Sequence, residues 1–249
     1  MVAKDLGVYD RGRFAAYLLA LRRVIALPSV IGHGLIIVDF GCSSGRLDGI
    51  IEAFVPNALI LGLDLDPNSL RLAHKASIDN AVLADIRRAP VKNSIVDLAL
   101  CLEVIEHMPK TDALRTLTSI RKMLKTKGFL LLSTPNRKSP TYITETIAHL
   151  ALGQRYKGGD PTHVNIYSQK EITELLRVSG LDVIANLGYW ILPLTFHWIN
   201  TASSKRNSSK WLQRLLTYTM KLTNPILLKA PWLGFVQVLL CTNLKCRQG

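Results

Sequence analysis

With 249 residues, 48% of them hydrophobic, the chain can bury one sizeable core and is too apolar to be disordered. Its net charge of +13 and pI near 9.8 permit an anionic partner, nucleic acid or a membrane surface, without requiring one. The four cysteines, Cys42, Cys101, Cys241 and Cys246, have no C-x-x-C spacing, which argues against zinc and points to free thiols in a reducing compartment.

The residues through Phe14 are mostly polar, and the apolar stretch from Ala15 to Leu27 is cut by Arg22 and Arg23. That pattern predicts an amphipathic helix over Asp10 to Ala26 rather than a secretory signal. Next comes Ile36-Ile37-Val38-Asp39-Phe40, an apolar strand running into the turn Gly41-Cys42-Ser43-Ser44-Gly45. A glycine-bearing turn after a strand is where backbone approaches a nucleotide, with Gly41 at the bend and Gly45 where the following helix presses on the sheet. A second run, Ala58 to Leu63, ends in Asp64 with Leu65 beside it, and a carboxylate about 20 residues beyond such a loop suits a ribose hydroxyl pair. The loop reads D-x-G-x-x-x-G, which departs from the dinucleotide fingerprint and argues against a pyrophosphate ligand.

Asn80 to Asp85 is a third short strand closing on an acid, followed by Ile86, and a fourth strand opens after Ser94 and runs from Leu98 to Leu102. Glu103-Val104-Ile105-Glu106-His107 comes directly after it. If a helical turn starts there, Glu103, Glu106 and His107 stand at i, i+3 and i+4 on one side. A fifth strand spans Lys127 to Asn136, and His163 lies in the loop beyond. Ser168-Gln169-Lys170-Glu171 is a capping box, Gly180 is placed to end that helix, and Leu181 to Ala185 predicts a sixth strand. Phe235 to Thr242 predicts a seventh.

This order of elements, from about residue 35 to the C-terminus, resembles the class I S-adenosylmethionine (SAM)-dependent methyltransferases. The resemblance implies an α/β, Rossmann-like fold, a seven-stranded mostly parallel sheet with helices on both faces, whose last strand runs antiparallel beside the sixth. It also implies that Asp39, Gly41, Cys42 and Gly45 form the loop that holds the methionine part of SAM. Asp64 and Leu65 would lie at the ribose, Asp85 and Ile86 at the adenine, and Leu102 at the rim. Ser43 stands where many members have a third glycine.

Methyl transfer to an oxygen requires removal of a proton, which a base or a metal ion makes easier. Two carboxylates and an imidazole suit a divalent ion such as magnesium, with His163 completing the set. The pattern is similar to two metal-using families, the ubiquinone-biosynthesis O-methyltransferases and the 2′-O-methyltransferases of small-RNA 3′ ends, which share E-x-x-E-H followed by a later histidine. Glu103, Glu106, His107 and His163 match those positions. Without a metal, His107 and His163 are the candidate general bases, because imidazole titrates near neutrality. His33, His74, His149 and His197 read as surface or packing residues. A tetrapeptide of the Asn-Pro-Pro-aromatic type after the fourth strand is absent, which argues against a base amine as acceptor.

After Asp182 the chain has no acidic residue and eight basic ones. Residues 188–232 form a helical insertion within a single domain covering 1–249. In it Lys210, Arg214, Thr217 and Lys221 line one side of a helix, and Leu212, Leu215, Leu216, Thr219 and Leu222 the other. Such a helix can pack as a lid with solvated lysines or lie on an anionic membrane, where Tyr189, Trp190, Phe196 and Trp198 suit the interface. RNA is a third partner class, although the aromatics do not alternate with the basic residues as a stacking platform would. Apolar runs near the end are broken by Pro193, Pro225, Lys229 and Pro231, so no membrane span is expected. The sequence thus leads to a cytoplasmic SAM-dependent O-methyltransferase, peripheral to the inner face of a membrane, acting on a small hydrophobic or lipid-like acceptor. RNA 2′-O-methylation and a non-catalytic SAM-binding or membrane-associated protein are the alternatives.

Overall fold

Apolar runs that alternate with helical stretches build parallel crossover units. In a computed structural model the seven runs join one sheet, β1 (Ile36–Phe40), β2 (Leu59–Asp64), β3 (Ala81–Leu83), β4 (Val96–Leu102), β5 (Leu124–Pro135), β6 (Asp182–Tyr189) and β7 (Val236–Thr242). The structure describes residues 8–25, 34–45, 47–55, 57–75, 80–189, 218, 226–227 and 229–243. The strand order is β3-β2-β1-β4-β5-β7-β6, with β7 antiparallel to both of its neighbours and the other pairs parallel. The expected fold class is present. The basic helix read over 210–222 lies outside the described residues except for Tyr218, as does most of the insertion.

Six helices are described: α1 (Val8–Ile25), α2 (Asp48–Phe54), α3 (Pro67–Lys75), α4 (Lys110–Met123), α5 (Pro140–Ala151) and α6 (Gln169–Val178). The two-residue period of the strands divides the core. Leu98 and Leu100 of β4 face one side with Phe14, Tyr17 and Leu21 of α1 and Ile51 of α2. Ala99 and Cys101 face the other, against Leu117 and Ile120 of α4 and Ile172 and Leu176 of α6. Arg22 and Arg23, which interrupt the apolar run of α1, sit on its exposed side. The capping box forms as expected, Ser168 accepting from the Glu171 amide while Glu171 accepts from that of Ser168. Gly180 closes the helix at φ +79°. Cys42, Cys101 and Cys241 are free and buried. No helix among the described residues is long and apolar enough to cross a membrane.

Two strand boundaries differ from expectation by three residues or more. β5 begins at Leu124, because Leu124 already pairs with Val96 before a bulge shifts the register. β6 runs on to Tyr189, since β7 supplies partners as far as Val236 opposite Tyr189. Asn186 and Gly188 look like strand terminators in sequence, and the ladder overrides that preference.

Candidate active site

Strand order reverses between β1 and β4, which opens a crevice at the carboxyl ends of the central strands. A cavity of about 420 Å³ lies there, lined among others by Gly41, Ser43, Asp64, Asp85, Glu103 and His107. Gly41 bends the chain at φ +88°, and its amide donates to the Leu63 carbonyl at 2.7 Å. A Cβ at this position would come within 2.5 Å of Val104 Cγ2. Ser43 adopts φ +51°, the left-handed conformation that a glycine takes without strain. Its amide donates to Asp64 Oδ2 at 2.8 Å, and the Asp66 amide donates to Oδ1 at 2.8 Å. Two backbone amides therefore fix the Asp64 carboxylate at the end of β2, with acceptor capacity left for a ligand. Leu65, beside it, also lines the cavity.

Asp85 caps a single turn over Ile86–Arg88, accepting from the Arg87 amide at 2.9 Å. The Arg87 guanidinium grips the same carboxylate through Nε and Nη2 at 2.7 to 3.0 Å and reaches Asp112 at 3.3 Å. That partner holds the Asp85 carboxyl below its usual range. Sequence reasoning passed over Arg87. The available signal was a cation two residues after the capping acid. Ile86 lines the cavity with them.

Four of the expected cofactor positions lie beneath this surface or beside it. Asp39 is 4% exposed and faces Asp48 at the start of α2, itself 2% exposed. Burial, and then the Asp48 charge, push the Asp39 carboxyl well up, and burial raises that of Asp48 to about 6. The two acids influence each other, and both Asp48 oxygens are buried without a hydrogen-bonding partner. Cys42 packs under the loop, where a Cβ on Gly62 would lie 2.8 Å from its sulfur. Burial pushes its thiol up. Gly45 is buried, its amide donating to the Cys42 carbonyl at 2.9 Å. Leu102 is half-buried and packs on the core beneath α1.

The E-x-x-E-H segment departs from the single helical turn that was expected. Its turn spans Ile105–His107 only, and Glu103 precedes it at φ +57°. The left-handed kink turns Glu103 toward β5, where Ser133 Oγ donates to its Oε1 at 2.7 Å. Burial raises the Glu103 carboxyl, opposed by Ser133 and Arg13. Glu106, His107 and His163 do come together, with one potential ligand atom from each within 4.8 Å of the others.

That cluster depends on the loop 152–167. The Val164 and Asn165 amides donate to the Glu106 carbonyl at 2.8 and 3.0 Å, and Asn165 Nδ2 donates to the Met108 carbonyl at 2.9 Å. His163 Nδ1 lies 2.7 Å from the Lys157 carbonyl, so that nitrogen carries the proton and Nε2 faces Glu106 Oε1 at 4.0 Å. Thr162 Oγ1 donates to Asp160 at 2.6 Å, and His107 Nδ1 is 2.9 Å from that oxygen. Because the hydroxyl has one hydrogen and gives it to the carboxylate, His107 Nδ1 is the donor and its Nε2 keeps a free lone pair. Glu106 is fully buried. Thr134 holds its Oε2 at 3.0 Å, while Oε1 has no hydrogen-bonding partner. Burial, then the Glu103 charge, push its carboxyl well up, and burial lowers His163. Of the remaining described histidines, His74 is exposed near the end of α3, and His149 bonds to the Glu145 carbonyl within α5.

A doubly wound sheet with acids at successive strand ends around one crevice defines a SAM-dependent methyltransferase. Residues 9–186 match the methyltransferase domain family, and the chain belongs to it. It is similar to a ubiquinone biosynthesis O-methyltransferase of Paraburkholderia xenovorans, 24% identical over 180 residues that span 70% of this chain and 76% of the relative. A protein of the same description from Cereibacter sphaeroides is 25% identical over 171 residues, 67% of this chain and 68% of that one. Among solved structures, magnesium protoporphyrin IX methyltransferase from Synechocystis, with S-adenosylhomocysteine bound, superposes with a TM-score of 0.60 at 14% identity, covering 94% of this chain and 85% of that one. A SAM-dependent methyltransferase from Archaeoglobus fulgidus gives 0.58 at 16% identity, covering 94% and 96%.

Proposed function

We propose that this protein methylates an oxygen of a small hydrophobic or lipid-like acceptor at an anionic membrane surface. The observation that carries the proposal is His107, which lines the cofactor cavity with Nδ1 committed to Thr162 and Nε2 free to take a proton. A nitrogen acceptor has its own lone pair, whereas a phenol, ionising at about pH 10, needs a base close by. The names of the curated relatives support the same acceptor class. So does α5, where Ile143, Ile147 and Leu150 recur at i, i+4 and i+7 and are all exposed, as on a helix that meets lipid.

In this proposal Asp64 takes the ribose hydroxyls, Asp85 and Ile86 flank the adenine, and the loop from Gly41 to Gly45 backs the methionine part. SAM supplies an electrophilic methyl group. The protein's own part is alignment, then acceptance of the acceptor's proton at His107 Nε2, with Asp160 and Thr162 holding the ring in orientation. A divalent ion fits Glu106, His107 and His163, since Glu106 Oε1 is buried without a hydrogen-bonding partner and each histidine offers a ring nitrogen within 4.8 Å of the other ligand atoms. Glu103 is turned away from that set. Bound there, the ion would lower the cost of ionising the acceptor oxygen.

The test is incubation with labelled SAM and separate lipid, quinone and RNA extracts. Label is expected in the lipid-soluble fractions, with turnover nearly insensitive to salt. Label in RNA, falling steeply with ionic strength, overturns the acceptor assignment. Loss of turnover with chelator, restored by magnesium, is expected of the ion. Equal activity with chelator removes it and leaves His107 as the base.

A further inference from the structure

Glu103 has a fixed orientation that the proton chemistry above does not use. Its backbone sits in the left-handed region at φ +57°, a conformation that persists in a non-glycine residue only where the surroundings enforce it. Two contacts to β5 do so, the Glu103 amide donating to the Ser133 carbonyl at 3.0 Å and Ser133 Oγ donating to Glu103 Oε1 at 2.7 Å. Ser133 has one hydroxyl hydrogen, so the Tyr17 hydroxyl, 2.8 Å from Ser133 Oγ, must donate to it. Ser133 is fully buried and Tyr17 is 1% exposed. A directed chain thus runs from α1 through β5 to a carboxylate on the cavity wall.

The position of that carboxylate suggests its ligand. Along the sheet the cavity is lined first by Asp85 after β3, then Asp64 at β2, Gly41 and Ser43 after β1, and finally Glu103 and Val104 after β4. An adenosine seated on Asp85 and Asp64 directs its amino-acid arm along this series toward β4. The group on that arm that a carboxylate recognises is the ammonium, through a charge-assisted hydrogen bond. We infer that Glu103 is a further cofactor-binding residue that takes the α-ammonium of SAM, and that Ser133 and Tyr17 are positioning residues that aim it. The inference rests on the adenosine seat proposed above.

Calorimetry with two nucleosides separates the parts. S-adenosylhomocysteine carries the amino-acid arm and methylthioadenosine lacks it. Glu103→Gln should weaken S-adenosylhomocysteine binding about tenfold to a hundredfold and leave methylthioadenosine within about twofold, as for loss of a hydrogen bond to a charged group. Ser133→Ala and Tyr17→Phe should each weaken only the first ligand, by about threefold to tenfold, and the double variant should be no weaker than Ser133→Ala alone, because both cut one chain. Asp64→Ala should weaken both ligands. Equal loss of both in Glu103→Gln, or loss of neither, overturns the ammonium assignment while the seat stands. Additive losses in the double variant overturn the positioning chain. If the unaltered protein binds neither nucleoside, the seat itself is wrong and the inference falls with it.

Discussion

The buried pair of Asp39 and Asp48 makes stability depend on pH in a direction opposite to that of a salt-bridged carboxylate. Asp48 ionises at about 6 in the folded chain against 3.8 ordinarily, because burial disfavours its charge. Between those values the folded state holds a proton that the unfolded chain has released. Stability is therefore highest below about pH 4 and falls as pH rises through about 6, by up to about 3 kcal/mol for this group. Asp39, raised further by burial and by its neighbour's charge, extends the loss to higher pH. Asp48→Asn keeps the shape, removes one acid and gives the Asp39 carboxylate an amide donor. In thermal unfolding at about pH 8 the variant should be more stable by about 2 kcal/mol, or roughly 4–8 °C in Tm for a chain of this size. At about pH 3.5, below both values, the two proteins should agree within about 0.5 kcal/mol. The difference between the proteins isolates the pair from every other titrating group. A gap of equal size at both pH values would mean that the substitution acts through packing, and no gap at about pH 8 would mean that the pair carries no electrostatic cost.

Two further substitutions probe the cavity wall. Asp64→Ala removes both the proposed ribose partner and the acceptor that holds the Ser43 amide. S-adenosylhomocysteine affinity measured by calorimetry should fall about a hundredfold, and an unchanged value would contradict the proposed seat. Gly41→Ala places a Cβ 2.5 Å from Val104 Cγ2 on a backbone at φ +88°. It should lower stability by about 2–3 kcal/mol, of which Val104→Ala in the same chain relieves the contact but not the strained backbone. A Gly41→Ala protein that melts like the parent would show that the loop shifts freely.

Much of this site was legible because its acids stand at the ends of apolar runs. A strand that stops at Asp64 or Asp85 delivers that residue to the crevice whatever the loops do, and the alternation of strands and helices already implies a parallel sheet. The parts that were not legible depend on contacts without a local pattern. The kink at Glu103 changes which acids share a face, and nothing in Glu103-Val104-Ile105-Glu106-His107 announces a positive φ. His163 reaches Glu106 because backbone amides of Val164 and Asn165 dock on one carbonyl, which leaves no trace in side-chain spacing. Tyr17 and Ser133 are 116 residues apart, so only the packing of α1 on the sheet joins them. Ser43, in contrast, was visible as a departure from glycine, and its φ of +51° shows what the departure costs the backbone.

The charge distribution is consistent with the same ligand. A chain of net charge +13 would repel a cation from most of its surface, yet Asp64, Asp85 and Glu103 line one cavity, with Asp39 and Glu106 buried near it. Concentrating carboxylates at the ends of adjacent strands carries a cost in mutual repulsion, which Arg87 offsets at Asp85 and two backbone amides offset at Asp64. At Glu103 the Ser133 hydroxyl donates to the carboxylate and the Arg13 charge acts on it as well. SAM brings a sulfonium and an ammonium, and after methyl transfer the sulfonium charge is gone. An acidic cavity therefore holds the methyl donor more strongly than the spent thioether, and the selectivity should weaken as salt screens the wall. Comparing the affinities of SAM and S-adenosylhomocysteine at low and high salt would reveal this, and a ratio independent of salt would show that the cavity's acids act only through contact.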